Sequence, residues 1–301
     1  MSRADPGPLA PVGFVGLGAM GTPMSGHLLA AGRRVLGHDP SEPAVRRLAE
    51  RGGTPAPLAE IATASDVVIT SLPSTAAVRD VLGALAAGAR DRERPLVVLE
   101  TSTLALSDRF ALREEVADAR LALVDCPLSG TSAQAELGDL VAYLGGCPDW
   151  AADLVGPVLG AVCRDTHDVG DFGDGTRMKL VANLLVAVHN VAAAEALQLA
   201  RRAGLDPGLV LEAVGDGAGA SRMLAVRGPL MVAGAYEPAT AKVSIFDKDL
   251  RAIRELAADL GAATPLLGAV SAVYAEAMAQ GRADQDAAAV HEVLGHLAAA
   301  D

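Results

Sequence analysis

Only three of the 25 basic residues in this 301-residue chain are lysines: Lys179, Lys242 and Lys248. A composition bias towards arginine explains most of the imbalance. A lysine retained on that background can still mark a position that needs a titratable amine. Arginine keeps its proton in proteins, whereas a desolvated lysine gives it up. Lys179 has the most suggestive surroundings. It lies four residues before Asn183, so the two project from one helical face, beside the apolar residues Leu180, Val181, Leu184, Leu185 and Val186. A lysine and an amide on an apolar stripe are costly unless something polar lies opposite. Desolvation would also lower the lysine's pKa towards use in proton transfer. A lysine snorkelling at a helix edge has the same sequence pattern.

A second constellation lies near the start. Gly16-Leu17-Gly18-Ala19-Met20-Gly21 fits G-x-G-x-x-G, follows an apolar run and opens a helical pattern. In that context the first glycine permits a tight turn, the second lets a pyrophosphate approach the backbone, and the third lets helix and strand pack closely. The N–H groups at the helix start, Ala19 and Met20 among them, attract the anion. An ordinary strand–helix turn in a chain with 32 glycines has the same pattern. Asp39 distinguishes the two readings. It stands roughly 20 residues beyond Gly18, at the end of the next apolar run, where a carboxylate accepts hydrogen bonds from the adenine ribose. It would repel the 2′-phosphate of NADP, and Pro40 follows it. These residues predict NAD in preference to NADP, with Arg33, Arg34 and Ser41 close enough to argue the other way.

Elements that could hold these groups follow from periodicity. Apolar runs at 12–16, 34–38, 67–72, 96–100 and 121–125 read as buried strands, and 141–145 and 161–165 as further ones. Helical patterns separate them, beginning with 19–31. Strands alternating with helices imply a largely parallel sheet covered on both faces. After Gly175 the pattern becomes helical: 178–204, then 207–214, 246–260, 265–280 and 287–299. The expected fold is α/β. A Rossmann-type dinucleotide-binding domain (1–172) precedes an all-α C-terminal domain (173–301), and a long interdomain helix at about 176–203 joins them.

Composition narrows the function classes. A net charge of −12 and 3% aromatic residues supply neither the basic footprint nor the stacking platforms of a nucleic-acid binder. With 51% hydrophobic and 21% charged residues, the chain can bury a core. Cys126, Cys147 and Cys163 are an odd number without metal-ligand spacing, which predicts a reducing compartment, no disulfide framework and no metal. The first eleven residues hold three prolines and no signal-peptide core. The most apolar stretch, 181–197, is interrupted by Asn183, His189, Asn190 and Glu195, short of the ~20 apolar residues that span a bilayer. No membrane partner is expected, and the location expected is cytoplasmic.

Further motifs bear on identity. Pro23-Met24 follow the glycine turn. Asp66 to Pro73 (Asp-Val-Val-Ile-Thr-Ser-Leu-Pro) form a strand-to-loop segment, followed by Glu100-Thr101-Ser102-Thr103 and Asp125-Cys126-Pro127-Leu128-Ser129-Gly130. Gly175, Lys179 and Asn183 lie on one helix. Phe246-Asp247-Lys248-Asp249-Leu250, Thr264-Pro265-Leu266 and Asp284-Gln285-Asp286 follow. In this order they resemble the β-hydroxyacid dehydrogenase family of 3-hydroxyisobutyrate dehydrogenases, tartronate semialdehyde reductases and short relatives of 6-phosphogluconate dehydrogenase. The resemblance spans almost the whole chain.

It implies that NAD binds along the N-terminal domain, with Leu72 and Pro73 beneath the nicotinamide ribose, Thr103 near the nicotinamide and substrate, and Lys248 near the cofactor. A small carboxylate substrate would bind in the cleft between domains, held by Ser129 and the Gly130–Thr131 backbone. Lys179 would take the hydroxyl proton as hydride leaves, and Asn183 would orient the substrate or the lysine. A homodimer or homotetramer is implied as well. Three positions depart from the family pattern. Thr131 replaces a glycine and resists positive φ, which predicts a reshaped loop. Ala182 stands where a second asparagine is usual, and Glu100 replaces an aspartate. Two rivals remain: an imine reductase-like enzyme on the same scaffold, which generally lacks the lysine, and a non-catalytic dinucleotide-binding scaffold protein.

Overall fold

The structure is a computed structural model that describes residues 10–297. Residues 1–9, which hold most of the proline-rich start, and 298–299, the end of the helix expected at 287–299, lie outside the described residues. The chain divides into two compact units, 1–179 and 180–301.

In the first unit β1 (Val12–Val15), α1 (Gly21–Ala30), β2 (Val35–His38), α2 (Glu42–Glu50), β3 (Thr54–Pro55), α3 (Leu58–Ala64) and β4 (Val67–Thr70) come first. Then follow α4 (Thr75–Ala89), β5 (Leu96–Glu100), α5 (Leu106–Glu115), β6 (Leu121–Asp125), β7 (Leu128–Ser129) and α6 (Ser132–Glu136). β8 (Val141–Gly145), α7 (Ala152–Val162), β9 (Asp165–Gly170) and the start of α8 (Asp174–Arg202) complete the unit. The strand order is β3-β2-β1-β4-β5-β6-β8-β7, with β9 on β8. β1 to β6 run parallel, and β8 runs antiparallel to β6 and β7.

Alternation along the central strands explains their continuous apolar sequence. Val12, Phe14, Val67, Ile69, Val97 and Leu99 pack on one face with Met24 and Leu28 of α1 and Leu48 of α2. Val15, Val68, Leu96 and Val98 pack on the other with Ile61 of α3, Leu82 and Leu85 of α4 and Leu112 of α5. Successive side chains point to opposite faces, so a strand covered on both sides must be apolar throughout. This is the doubly wound dinucleotide-binding arrangement, whose ligands lie at the carboxyl ends of the strands beside the β1/β4 reversal.

One expected strand moves. Ala161 and Val162 are the last residues of α7, and the strand that follows is β9, at Asp165–Gly170. Val162 belongs to the helix's buried face, with Val155, Val158 and Leu159.

The second unit continues α8 and adds α9 (Pro207–Gly215), α10 (Arg222–Ala233), α11 (Val243–Asp259), α12 (Pro265–Ala279) and α13 (Val290–Leu297). Asp206 and Ser221 cap α9 and α10 by accepting the Leu209 and Leu224 N–H groups. At 29 residues α8 is, by length and composition, long and apolar enough to cross a bilayer. Leu180, Ala187, Val191, Ala194 and Leu197 lie in this unit's core beside Phe246, Leu250 and Tyr274. A central helix of that kind meets the same length and composition criteria as a membrane span.

Asp286 organises the core's polar centre. It accepts the Thr240, Ala241 and Ala288 N–H groups and the Thr240 hydroxyl, and it pairs with Arg227 at 3.3 Å. Burial works against its charged form, yet these hydrogen bonds and Arg227 hold its carboxyl below the usual carboxylate range. A depressed folded-state pKa contributes stability that is complete above the unfolded value, about 3.9, and is lost as pH falls through the folded one. Thermal stability should therefore drop steeply below about pH 4. In Asp286→Asn the protein should melt lower at neutral pH and lose part of that acid-side slope, which melts across pH will show.

Candidate active site

The three glycines of the turn differ in their surroundings. Gly16 has φ +95°, and a Cβ there would lie 2.1 Å from the Ser71 carbonyl oxygen. A Cβ on Gly21 would lie 1.8 Å from the Gly16 carbonyl oxygen, whereas one on Gly18 would meet nothing within 4 Å. The outer glycines are packed and the middle one is open. In the first turn of α1 the Thr22 and Met24 N–H groups donate to the Gly18 and Met20 carbonyls and Pro23 has none, which leaves those of Ala19, Met20 and Gly21 as the helix start's candidates for an anion. Asp39 follows β2. Its Oδ2 accepts the Leu17 N–H at 2.7 Å and its Oδ1 accepts the Ser41 N–H at 2.8 Å. The carboxylate is thereby fixed to the turn, and each oxygen keeps acceptor capacity for a ribose hydroxyl. An open glycine for a pyrophosphate and an anchored acceptor for a ribose fit a nicotinamide dinucleotide.

The loops after β4, β5 and β6 carry the next residues. The Leu72 N–H donates to Ser102 Oγ at 2.8 Å, which ties the Leu72-Pro73 segment to the turn holding Thr103. The Ser102 N–H donates to Glu100 Oε1 at 2.9 Å. Glu100 is a buried structural residue, paired with Arg109 at 2.7 Å. Burial pushes its carboxyl up while the guanidinium pulls it down.

Beyond β7, Gly130 takes φ +141° and Thr131 sits at φ −98°, in ordinary extended backbone. The threonine therefore needs no positive φ, because the glycine before it absorbs the turn. Thr131 caps α6: its hydroxyl accepts the Gln134 N–H, and its own N–H donates to Gln134 Oε1 at 3.1 Å. With that N–H engaged, Ser129 and Gly130 are the loop's remaining candidates for holding a carboxylate. Cys126, in the same segment, is a buried small residue whose thiol burial pushes up.

Lys179 is the sixth residue of α8 and half-buried; Asn183 follows one turn later and is buried. Within the second unit, Asn183 Nδ2 donates to Asp249 Oδ2 at 2.8 Å, which fixes the amide. Lys248, exposed on α11, immediately precedes that aspartate. The 246–250 motif thus supplies Asp249 as the partner of Asn183, a pairing across 66 residues that its sequence does not reveal. Lys242 pairs with Asp284 at 2.7 Å on the surface. Among the described residues no group of three or more His, Cys, Asp or Glu side chains could hold a metal.

The strand order, the open glycine and the anchored carboxylate define a nicotinamide-dependent oxidoreductase scaffold. Residues 11–170 match the NAD-binding domain family of 6-phosphogluconate dehydrogenase, and residues 173–294 the family described as NAD-binding of NADP-dependent 3-hydroxyisobutyrate dehydrogenase. An L-threonate dehydrogenase of Cupriavidus necator is 32% identical over 285 residues, covering 94% of this chain and 95% of that one. A 3-sulfolactaldehyde reductase of Escherichia coli is 30% identical over 286 residues, 94% and 95% of the two chains. Among solved structures, a 3-hydroxyisobutyrate dehydrogenase from Salmonella typhimurium superposes with TM-score 0.83 at 30% identity, over 94% of this chain and 99% of that one. The chain belongs to the β-hydroxyacid dehydrogenase family, and it is an NAD(P)-dependent oxidoreductase of the hydroxyacid class. An imine reductase from Pseudomonas shares the fold at 19% identity and TM-score 0.59.

Proposed function

We propose that this enzyme interconverts a small β-hydroxyacid and its oxo form, with NAD preferred to NADP and Lys179 as the general acid/base. The carrying observation is the placement of Lys179 on α8, one turn before Asn183, whose amide is fixed by Asp249. When bound, the nicotinamide accepts the hydride released from the carbinol carbon. Gly16, Gly18 and Gly21, with the N–H groups at Ala19 and Met20, would hold the pyrophosphate. Asp39 would accept the ribose hydroxyls, and Leu72, Pro73, Thr103 and Lys248 would line the remainder of the cofactor site. Ser129 and the Gly130 N–H would bind the substrate carboxylate. Lys179 Nζ would take the hydroxyl proton during oxidation and return it during reduction, with Asn183 orienting the reacting groups.

Asp39 supports the coenzyme preference, because its fixed carboxylate would face the extra phosphate of NADP with like charge. Lys179 argues against imine reduction, and the intact glycine turn and lysine argue against a non-catalytic scaffold. Val181 and Leu185, about half exposed on α8, favour a homodimer or homotetramer. Three free cysteines suit a cytoplasmic setting.

The test is a screen of 3-hydroxyisobutyrate, glycerate, serine, threonate and 3-hydroxypropionate with NAD or NADP. Turnover of at least one acid, with kcat/KM about tenfold or more higher for NAD, is expected. A tenfold NADP preference would overturn the coenzyme assignment. No turnover of any acid alongside reduction of cyclic imines would overturn the substrate class.

A further inference from the structure

Arg109 is not part of any motif, yet it is almost wholly buried in the first unit, at 1% exposure. From α5 its guanidinium reaches two carboxylates, Glu100 at 2.7 Å and Asp125 at 3.1 Å. It also donates to the Ser102 carbonyl at 2.6 Å. Of the two carboxylates around this guanidinium, Asp125 also faces a helix start. Asp125 Oδ2 accepts the Thr176 N–H at 2.7 Å, and Oδ1 accepts the Thr176 hydroxyl at 2.9 Å. Thr176 is the third residue of α8, where free N–H groups and the helix dipole favour an anion.

The approach is close enough to need a glycine. A Cβ on Gly175 would lie 2.8 Å from the Asp125 carbonyl oxygen and 2.7 Å from that of Tyr143. Lys179 follows Thr176 by three residues on the same helical face, and helical side chains lean towards the N-terminus. The lysine stem therefore rises from the turn that Asp125 holds. Through Ser102 the same guanidinium reaches the Leu72 segment. One buried cation thus connects the ends of β4, β5 and β6 to the start of α8.

We propose that Arg109, Asp125 and Thr176 are positioning residues for the reaction: together they clasp α8 to the β5 and β6 loops and set where Lys179 Nζ stands relative to the substrate loop. This rests on the reading of Lys179 as the proton carrier. A clasp of this kind acts through geometry, and misplacement of a reacting group by about 1 Å can cost on the order of a hundredfold in rate.

Thr176→Val keeps the branched shape and the backbone N–H but removes the hydroxyl; Thr176→Ser restores it. Arg109→Lys keeps the charge and loses the fork. In Thr176→Val, kcat should fall about tenfold or more, while the KM for NAD and the Kd for NADH stay within about twofold. Thr176→Ser should recover kcat to within about threefold of wild type. A second readout does not need turnover. With only three lysines, reductive ¹³C-methylation gives few signals, and Lys179→Ala identifies the one from Lys179. That signal should shift in Thr176→Val and Arg109→Lys, while those of Lys242 and Lys248 stay in place. Unchanged kcat and an unmoved Lys179 signal in a folded Thr176→Val, even with a lowered Tm, would overturn the proposal. If Arg109→Lys does not fold, Thr176→Val decides. If wild type turns over no hydroxyacid, the functional reading fails, and the Lys179 signal still decides whether the clasp sets the lysine.

Discussion

Lys179→Ala should lower kcat by roughly a hundred- to ten-thousandfold, the usual contribution of a positioned acid/base group, with the Kd for NADH within about twofold of wild type. The two halves of that expectation have separate origins. In the proposed reading the dinucleotide would be held by a turn fixed at Gly16 and Gly21 and by Asp39, which is bonded to that same turn. None of these groups depends on α8. The proton of the substrate hydroxyl needs an acceptor, and Lys179 is the titratable side chain proposed for that task, one turn before Asn183 on α8. A loss of kcat matched by an equal loss of kcat/KM would identify an interaction used only in the transition state. Retention of more than about a tenth of wild-type kcat would remove Lys179 from the reaction.

Gly21→Ala should damage the other half of the enzyme. Its new methyl would sit 1.8 Å from the Gly16 carbonyl oxygen, an atom of the backbone turn that cannot swing aside. Either α1 moves away from β1 or the turn opens. A stability loss of about 1–3 kcal/mol is expected from overpacking of this kind, with NADH affinity reduced about tenfold or more. Gly18→Ala is the informative contrast. A Cβ there meets nothing within 4 Å, so Tm should hold while NADH affinity falls, because the methyl occupies the space a pyrophosphate needs. Equal melting losses in the two variants would contradict this division of roles within the turn.

Strands 96–100, 121–125 and 141–145 coincide with the observed elements because each is an apolar run that the sheet buries along most of its length. β9 was illegible for the opposite reason. Asp-Thr-His-Asp-Val-Gly is an exposed edge strand without a buried face to impose alternation, so the apolar end of α7 attracted the assignment instead. No expected helix covers α10, which contains Pro229 after Gly228, two residue types that ordinarily interrupt helices. In the site, residues within short motifs were readable because local geometry dictates them, as at Gly16 and Gly21. Arg109 and the Asp125–Thr176 bond were not. An arginine on an amphipathic helix looks like a solvated residue, and a contact between residues 51 positions apart leaves no periodic signal. Thr131 shows the same limit: the glycine it replaces predicts a reshaped loop, but Gly130 carries the positive φ and the threonine caps α6.

The central claim is that this chain passes hydride between a hydroxyacid carbon and nicotinamide. It is tested most directly by incubating the wild-type enzyme with NAD and hydroxyacids deuterated at the carbinol carbon, then weighing the reduced coenzyme by mass spectrometry. The expected result is NADH carrying one deuterium from whichever acid turns over. NADH without deuterium, or no NADH from any of the acids, would contradict it.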